Sequence, residues 1–443
     1  MTILSELAAH AVQTYRTGVP DDVRHAATRA LVDWYAATIP GGVAAPARIL
    51  GDVAPEPGPC GLVPSGRTAR ARDAALINGT AAHTAELDDI FRDGLYHPGA
   101  PTIAAALAAA EDTGASGREL LTAVTVAYEA ACRLAVRLAP EHYRFWHPTG
   151  TLGALGAATA AGVLYGLDAS RLTHALATAT TLAAGLQQAF RSEAMSKPLH
   201  AGRAAETGVL AAQAARSGFT GAADAFDGPA GFAAAMAGGP DLTGAADGWG
   251  APYLVTGITV KNHACCGHTF AAVDAAIELR EAGLTPDRVA RVEIATYGTA
   301  VRTAGNPDPA TPFEAKFSLA YTVAAGLALG TARDAAFTPS ALADPAIRRL
   351  VGLTEIAVDE RFDAWAPGRR AARVTMTDTA GERHEVERLT RRGDPDAPLS
   401  DDELSAKFRE FATPVLGAES DVLLSNVWSI ESAPKVRALR DAT

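Results

Sequence analysis

Four short segments of the chain each place a histidine or a lysine beside proline, glycine or cysteine. They span residues 96–99, 146–151, 196–200 and 261–268. Proline and glycine break regular structure, and side chains at such breaks often carry the chemistry of a protein. Protonatable groups placed there can serve as acids, bases and carboxylate-binding cations within one cleft. The candidates in these segments are His97, His147, Lys197, His200, Lys261, Cys266 and His268.

An acidic group precedes the first of these histidines. The pattern predicts a helix over 71–87 that runs into Glu86, Asp88 and Asp89, shortly before His97. Carboxylates at the C-terminal end of a helix oppose its dipole, so this placement more often serves a site than stability. We therefore predict that Glu86 and Asp89 take part in binding a substrate. A solvated loop is the alternative.

His147 and His200 are both predicted to lie where a helix begins. Thr149 or Thr151 can cap the helix after His147, and a histidine near free helix amides tends towards its neutral form, which suits a base. His200 is predicted to open the helix that follows Pro198. For His147, a buried structural histidine is the alternative.

Lys197 lies between two predicted helices, with Arg191 close to it in sequence. Lysine is rarely buried without a partner. We therefore predict that Lys197 and Arg191 clamp a carboxylate, or that Lys197 carries a proton. The alternative is an ordinary solvated lysine at a helix junction.

The segment 261–268 offers two histidines and two cysteines. The side chains of adjacent Cys265 and Cys266 diverge, and no second Cys-x-x-Cys or His-x-x-x-His follows, so we predict no metal site and no iron–sulfur cluster. Small side chains packing under a glycine turn explain the cysteine pair. Tyr321, at the start of a predicted helix, is a candidate donor to an oxyanion, and a core tyrosine is the alternative.

The bulk composition narrows the class of protein. The chain has 443 residues and a formal net charge of −11. This length predicts two domains, or one helical body with an inserted smaller unit. The acidic balance argues against binding to nucleic acid or to an anionic membrane. Four cysteines without a disulfide pattern, and no signal peptide or membrane span, favour a cytoplasmic protein.

The pattern of apolar and polar residues changes along the chain and divides it into a helical part and a mixed part. Residues 1–257 and 391–443 show Ala-rich helical patterns, and residues 258–390 predict an α+β unit. Within that unit, 289–297, 356–359 and 372–377 alternate like strands, and a turn at 378–381 predicts a hairpin into 383–386. The predicted fold class is therefore mainly α, with an inserted smaller α+β unit.

Taken together, the motifs resemble the MmgE/PrpD family, which contains 2-methylcitrate dehydratase, cis-aconitate decarboxylase and iminodisuccinate epimerase. The most specific pieces lie at 78–83, 97–101, 146–153, 197–202 and 265–269. The resemblance implies a helical domain built from both chain ends, an α+β lid, a homodimer, no cofactor and an active site between body and lid. It also implies that His97, His147, Lys197, Lys261 and Tyr321 line that site.

The resemblance implies chemistry next to a carboxylate. We expect a cofactor-free lyase that removes the proton alpha to a carboxylate of a small di- or tricarboxylate, with dehydration as the leading reaction. His147 or His97 would take the proton, and the other histidine or Tyr321 would protonate the departing hydroxyl. Lys197, Lys261 and Arg191 would hold carboxylates. The alternatives are an epimerase, a decarboxylase and a non-catalytic carboxylate-binding protein.

Two positions depart from the family pattern. Members often carry Asp-Phe-Asp-Asp where Glu86 begins the acidic group, so the first carboxylate here is one methylene longer. By the same resemblance, cis-aconitate decarboxylase carries a histidine at the position where this chain has Cys266. This second difference weighs against decarboxylation by the same scheme.

Overall fold

The computed structural model describes residues 1–53, 57–190, 194–366 and 368–439. The chain divides into two compact units. One, the helical unit, comprises residues 1–260 and 400–443, and the other, the mixed unit, comprises residues 261–399. The sequence pattern places these boundaries after residues 257 and 390. The mainly α character predicted from the sequence is confirmed.

The first part of the helical unit is a series of Ala-rich helices with one short ladder. Its helices are α1 Ile3–Thr17, α2 Asp21–Val43, α3 Ala45–Val53, α4 Ala71–Ala82, α5 Gly99–Thr113, α6 Gly117–Leu138, α7 Pro148–Leu164, α8 Ala169–Leu182, α9 Ser196–Arg216 and α10 Phe232–Ala237. Strands β1 (Cys60–Gly61) and β2 (Thr68–Ala69) pair antiparallel. Alanine favours helix formation, and its small side chain allows helices to approach closely.

The mixed unit contains helices around a four-stranded sheet. Its helices are α11 Phe270–Glu281, α12 Gly298–Ala304, α13 Pro312–Ala315, α14 Leu319–Leu329, α15 Pro339–Leu342, α16 Pro345–Gly352 and α17 Glu360–Trp365. Its strands are β3 Val289–Thr296, β4 Thr354–Val358, β5 Ala372–Asp378 and β6 Arg383–Arg388. The strand order is β4-β3-β5-β6, with β3 and β4 parallel and the other pairs antiparallel.

The predicted hairpin is confirmed. Strands β5 and β6 pair antiparallel, with Ala372 opposite Arg388 and Thr377 opposite Arg383. Gly381 closes the turn with a φ of 86°, a backbone conformation that glycine adopts without a steric cost.

Two helices of the chain's last part return to the helical unit, α18 Asp401–Leu416 and α19 Glu419–Trp428. A capping box at Ser400 and Glu403 starts α18, because each side chain satisfies the other residue's backbone amide. Helix α18 packs against α2. No described helix combines the length and the apolar character that a membrane crossing requires.

Helix α7 is the centre of the helical unit. All of its residues are buried, as expected for a helix that is apolar on every face. It packs against α5, α6, α8 and α9. Close approach depends on glycines: a Cβ at Gly153 would lie 2.6 Å from Pro101, and one at Gly208 would lie 2.4 Å from Ala157. This close packing fixes the N-terminal end of α7 relative to its neighbours.

Candidate active site

Three helix N-termini meet in the helical unit. Helices α5, α7 and α9 begin at Gly99, Pro148 and Ser196, and in none of the three does the side chain of the N-cap residue bind a helix amide. The backbone amide of His97 donates to Thr149 Oγ1 at 3.2 Å, and this bond joins the start of α5 to the first turn of α7. Because a helix N-terminus carries a positive partial charge, three of them together favour an anion, and the Asp89 carboxylate already accepts from the first amide of α5.

Four histidines and one aspartate lie close together here, and we call His83, Asp88, His97, His147 and His200 the histidine cluster. His83 Nδ1 lies 2.6 Å from Asp88 Oδ2, and His97 Nδ1 lies 3.4 Å from the same oxygen. The His83 ring lies 5.0 Å from the His97 ring and 5.2 Å from the His147 ring, centroid to centroid. The two Nδ1 atoms of His147 and His200 are 3.1 Å apart. The four rings therefore form one continuous group around Asp88.

The hydrogen bonds of His97 define its tautomer. Its Nδ1 lies 2.8 Å from the carbonyl oxygen of Asp89. A carbonyl can only accept, so Nδ1 carries the proton and, in the neutral ring, Nε2 carries the lone pair. The Asp88 carboxylate on the same side of the ring would stabilise a positive charge on His97. His97 is therefore arranged as a base through Nε2.

His147 and His200 are held in their neutral forms. Burial is the main reason that the pKa of His147 lies well below its usual value, and the charges of His83, His97 and His200 lower it further. Burial also lowers the pKa of His200 to about 4, with His83 and the Lys197 charge adding to the effect. Both rings can donate or accept a hydrogen bond near neutral pH without bringing a net charge.

Glu86 and Lys197 form a buried ion pair beside the cluster, with Lys197 Nζ in contact with Glu86 Oε1. Lys197 lies in the first turn of α9, one turn before His200. Glu86 has a φ of 60°, in the left-handed region that non-glycine residues rarely adopt. The two side chains that were predicted to bind substrate are thus bound to each other.

Asp89 faces away from the cluster, into the core of the helical unit. Tyr128 donates its hydroxyl to Asp89 Oδ2 at 2.8 Å, and the Gly99 amide donates to Oδ1 at 2.9 Å. Burial is the main cause that raises the pKa of Asp89 to about 7, and the nearby charges of Asp33 and Asp88 act in the same direction. Of the two adjacent aspartates, Asp88 rather than the predicted Asp89 places its carboxylate against the histidines.

A buried lysine anchors the loop that carries these acids. Lys407 of α18 is 0% exposed, and its Nζ lies 2.5 Å from Asp33 Oδ1 and donates to the carbonyl of Leu87 at 3.0 Å. A buried ammonium group needs such partners. The loop between α4 and α5 is therefore held from behind by α2 and α18.

Several local expectations about these segments are wrong. Helix α4 ends at Ala82 rather than at 87, so Glu86 and Asp88 lie in a loop and do not oppose a helix dipole. Neither Thr149 nor Thr151 caps α7, because the N-cap residue is His147 and Pro148 occupies the first helical position. His200 does not open α9, since that helix already begins at Ser196. Arg191, predicted to clamp a carboxylate, lies outside the described residues.

The remaining predicted residues belong to the mixed unit. Lys261 is buried, and the backbone amide of Cys266 donates to the carbonyl of Lys316 at 2.8 Å. His268 Nδ1 lies 2.6 Å from the Tyr297 hydroxyl. Burial is the main cause that keeps the pKa of His268 well below its usual value.

Tyr321 is used inside the mixed unit. Its hydroxyl donates to the Ala336 carbonyl at 2.6 Å, and its side chain is fully buried. Burial also raises its pKa to about 12. This arrangement matches the core tyrosine that the sequence left open as the alternative, and it directs the phenolic proton to the backbone.

Two groups in the described part of the chain bring three possible metal ligands within 4.8 Å of one another. They are His83, Asp88 and His97, and Asp378, Glu382 and His384. In the first group, the proton on His97 Nδ1 occupies the side that a metal would need. In the second, Asp378 accepts from the Ala380 and Glu382 amides and from Arg288. Both arrangements are those of hydrogen-bonded carboxylates, since a metal ligand must offer a lone pair.

A cavity of about 190 Å³ also lies in the helical unit. Its lining includes Tyr35, Leu62, Asn78, Glu111 and Asn426, and none of the histidine cluster. We place the candidate site at the cluster and not at this cavity, because the protonatable groups converge at the cluster.

Sequence reasoning missed His83, Asp88 and Lys407. One unused signal would have found the last of these. Lysine and arginine together number 39, and only five are lysines: Lys197, Lys261, Lys316, Lys407 and Lys435. Lys435 is exposed, Lys316 is partly buried and the other three are buried. In a chain that uses arginine for nearly every exposed cation, a lysine marks a place that needs a compact ammonium group.

Comparison with known proteins places both parts of the chain in one family. A family model described as the MmgE/PrpD N-terminal domain matches residues 5–245, and one described as the MmgE/PrpD C-terminal domain matches residues 263–430. The chain is 28% identical over 471 residues to the cis-aconitate decarboxylase-like protein oryM of Aspergillus oryzae, across 99% of this chain and 96% of that protein. It is 29% identical over 356 residues to the cis-aconitate decarboxylase of Homo sapiens, across 77% of this chain and 73% of that protein.

The two family models together span most of the chain and meet near the boundary between its units. With the motifs around the histidine cluster in the expected order, the chain belongs to the MmgE/PrpD family.

Proposed function

We propose that this protein is a lyase that acts on a small di- or tricarboxylate by moving a proton at the carbon next to a carboxylate. The observation that carries this proposal is the meeting of three helix N-termini, the Lys197 ammonium group and four histidines in the helical unit. Two relatives with names of cis-aconitate decarboxylase type support the carboxylate substrate.

The anion-binding groups suit the charge that develops in such a reaction. Removal of a proton alpha to a carboxylate places a second negative charge on that carboxylate, as an enediolate. Helix N-termini and a desolvated ammonium group stabilise that charge without having to reorganise during the reaction. Lys197 is therefore proposed to hold the carboxylate next to the reacting carbon.

His97 is proposed as the base. Its Nδ1 proton is directed to the Asp89 carbonyl, which leaves the Nε2 lone pair to take the substrate proton. The Asp88 carboxylate then stabilises the resulting imidazolium. His147 and His200 stay neutral and provide hydrogen bonds without repelling that cation.

Dehydration is the leading reaction. His97 takes the alpha proton, the bond between the beta carbon and the hydroxyl breaks, and the hydroxyl leaves as water with the proton that His97 has gained. The enediolate electrons form the carbon–carbon double bond. The same histidine takes the proton and returns it to the departing hydroxyl, so His97 ends in its starting form and no redox partner is needed.

Decarboxylation of cis-aconitate is the second candidate, and the names of the two relatives favour it. There, a carboxylate leaves as carbon dioxide and a protonated histidine supplies the proton that replaces it. We place this reaction second because Cys266 stands where that enzyme is expected to carry a histidine.

The expected homodimer remains a prediction, which light scattering of the purified protein would check.

Proton NMR in deuterated water tests the proposal directly. Citrate, 2-methylcitrate, cis-aconitate and iminodisuccinate are supplied in parallel to the purified protein. A new vinyl signal from citrate or 2-methylcitrate identifies a dehydratase, and replacement of the cis-aconitate vinyl signal by that of an unsaturated dicarboxylate identifies a decarboxylase. Deuterium uptake without net loss of substrate would identify an epimerase and contradict the lyase proposal.

A pair of variants tests the base. We expect His97→Gln to lower turnover by about 100- to 10,000-fold, which is the usual contribution of a positioned general base. His25→Gln is the control, since His25 is exposed and pairs with Asp401 at 3.0 Å on the surface. Near-normal turnover in the His97 variant would refute the assignment.

A further inference from the structure

We propose that the Glu86 carboxylate occupies the position in which Lys197 binds a carboxylate of the substrate, so that Glu86 is an internal competitor that determines which substrates bind. This inference rests on the proposed function and adds a specificity-determining residue to it. It follows from the ion pair, its burial and the backbone at Glu86.

The ion pair lies where the substrate carboxylate is needed. Glu86 Oε1 contacts Lys197 Nζ, and both residues are buried, at 9% and 7% exposure. In sequence, Glu86 lies between His83 and Asp88, which belong to the histidine cluster. The Lys197 charge also acts on His200. Glu86 therefore holds the Lys197 ammonium group beside the histidine cluster, whose side chains are proposed to carry out the reaction.

The backbone holds Glu86 in this position. Its φ of 60° places a residue with a long side chain in the left-handed region. Such conformations persist where the surrounding structure requires them, and they are concentrated at functional sites. Behind Glu86, Lys407 binds the carbonyl of Leu87, the next residue. The loop thus directs the Glu86 carboxylate to Lys197 rather than to solvent.

A substrate carboxylate and Glu86 cannot share Lys197 at no cost. Two carboxylates at one buried ammonium group repel each other, and one of them must move or take up a proton. An entering carboxylate therefore replaces an interaction that already exists. The apparent affinity of a ligand falls in proportion to the fraction of protein in which its site is open.

This competition selects for ligands with several carboxylates. A monocarboxylate that displaces Glu86 gains at Lys197 only about what the protein loses there. A di- or tricarboxylate makes additional contacts with the helix N-termini and retains a net gain. Glu86 thus sets a threshold for binding, which small polycarboxylates exceed through their additional contacts and monocarboxylates do not.

Calorimetric titration of the 443-residue chain tests the inference without depending on turnover. The probes are tricarballylate, a tricarboxylate with neither a hydroxyl nor a double bond, and butyrate, a monocarboxylate. Glu86→Gln keeps the shape of the side chain and removes its charge. We expect this variant to bind both tricarballylate and butyrate about tenfold more tightly than the unmodified protein does, because the cost of displacing Glu86 is the same for each ligand.

Glu206→Gln is the matched control. Glu206 is also 9% exposed, lies in the same helix as Lys197 and pairs with Arg72 at 2.8 Å, so it tests the effect of removing a buried glutamate charge as such. We expect its binding of both probes to equal that of the unmodified protein. If Glu86→Gln does not fold, Glu86→Asp shortens the side chain by one methylene and should shift affinity in the same direction by a smaller factor.

Lys197→Met distinguishes a failure of the Glu86 inference from a failure of the proposed carboxylate site. If it weakens tricarballylate binding while the Glu86 variants bind no more tightly, Glu86 serves to position Lys197 and only this inference is overturned. If tricarballylate binds neither the unmodified protein nor the Glu86 variants, the carboxylate site itself is refuted, and the proposed function with it.

Discussion

Replacing Asp89 by asparagine should make the stability of the protein less dependent on pH. Asp89 is buried, and its pKa rises from 3.8 to about 7, chiefly because burial penalises the charged form. Asparagine has nearly the same shape. Its oxygen can accept from the Gly99 amide and its NH₂ group can donate to the Tyr128 hydroxyl, so both hydrogen bonds at this position are retained.

The magnitude follows from the difference between the folded and unfolded pKa values. Below about pH 4 both states hold the proton, and Asp89 adds no pH dependence. As the pH rises towards about 7, the unfolded state loses its proton first, so the free energy of unfolding falls by up to about 1.4 kcal/mol per pH unit. Between about pH 5 and pH 8 the accumulated loss from Asp89 is about 2.5 kcal/mol.

Guanidinium unfolding at about pH 5 and pH 8 measures this loss. The unmodified protein and Asp89→Asn share every other titrating group, so the difference between their two pH responses isolates Asp89. We expect the variant to lose about 2.5 kcal/mol less than the unmodified protein over this interval. Asp421→Asn, at an exposed residue that pairs with Arg409, is the control and should leave the pH response unchanged. Equal pH responses in the unmodified protein and Asp89→Asn would show that the buried carboxyl does not titrate in this range.

Two further variants test the packing that supports the site. Gly208→Ala would place a Cβ 2.4 Å from Ala157 and should cost about 3 kcal/mol in thermal or chemical unfolding, whereas Gly352→Ala, which meets nothing within 4 Å, should be neutral or slightly stabilising. An equal effect at both glycines would contradict the close approach of α7 and α9. Lys407→Met removes the cation that contacts Asp33 in the core and should destabilise by about 3–5 kcal/mol, with part of the loss recovered when Asp33→Asn is added. Additive losses in this double-mutant cycle would show that the two residues do not interact.

Local sequence patterns were sufficient to single out three of the groups that the structure brings together at the candidate site. His97, His147 and Lys197 stand beside proline, and proline marks a helix start because its fixed φ and missing amide suit the first turn. The hairpin of the mixed unit was predictable for a similar reason, since alternating strands flank a turn that contains glycine.

The choice between neighbouring acids was not predictable. Asp88 and Asp89 are adjacent and chemically identical, and which of them faces the histidines depends on the dihedral angles of a loop. Helical periodicity gives no information there, because α4 has already ended at Ala82. Nor does the sequence specify that Glu86 and Lys197 form a pair, since 111 residues separate them and only the packing of α4 against α9 brings their segments together.

The distribution of lysines has a practical consequence. Lys435 is exposed, while Lys197, Lys261 and Lys407 are buried, at 7%, 2% and 0% exposure. An amine-reactive reagent should therefore acylate the Lys435 side chain quickly, and it can reach the three buried amines only when the surrounding structure opens. The slow phases of acylation, followed peptide by peptide in a mass spectrometer, would then measure opening rates at three separate places. Lys197 reports on the start of α9, Lys261 on the segment 261–268 of the mixed unit, and Lys407 on the contact of α18 with α2.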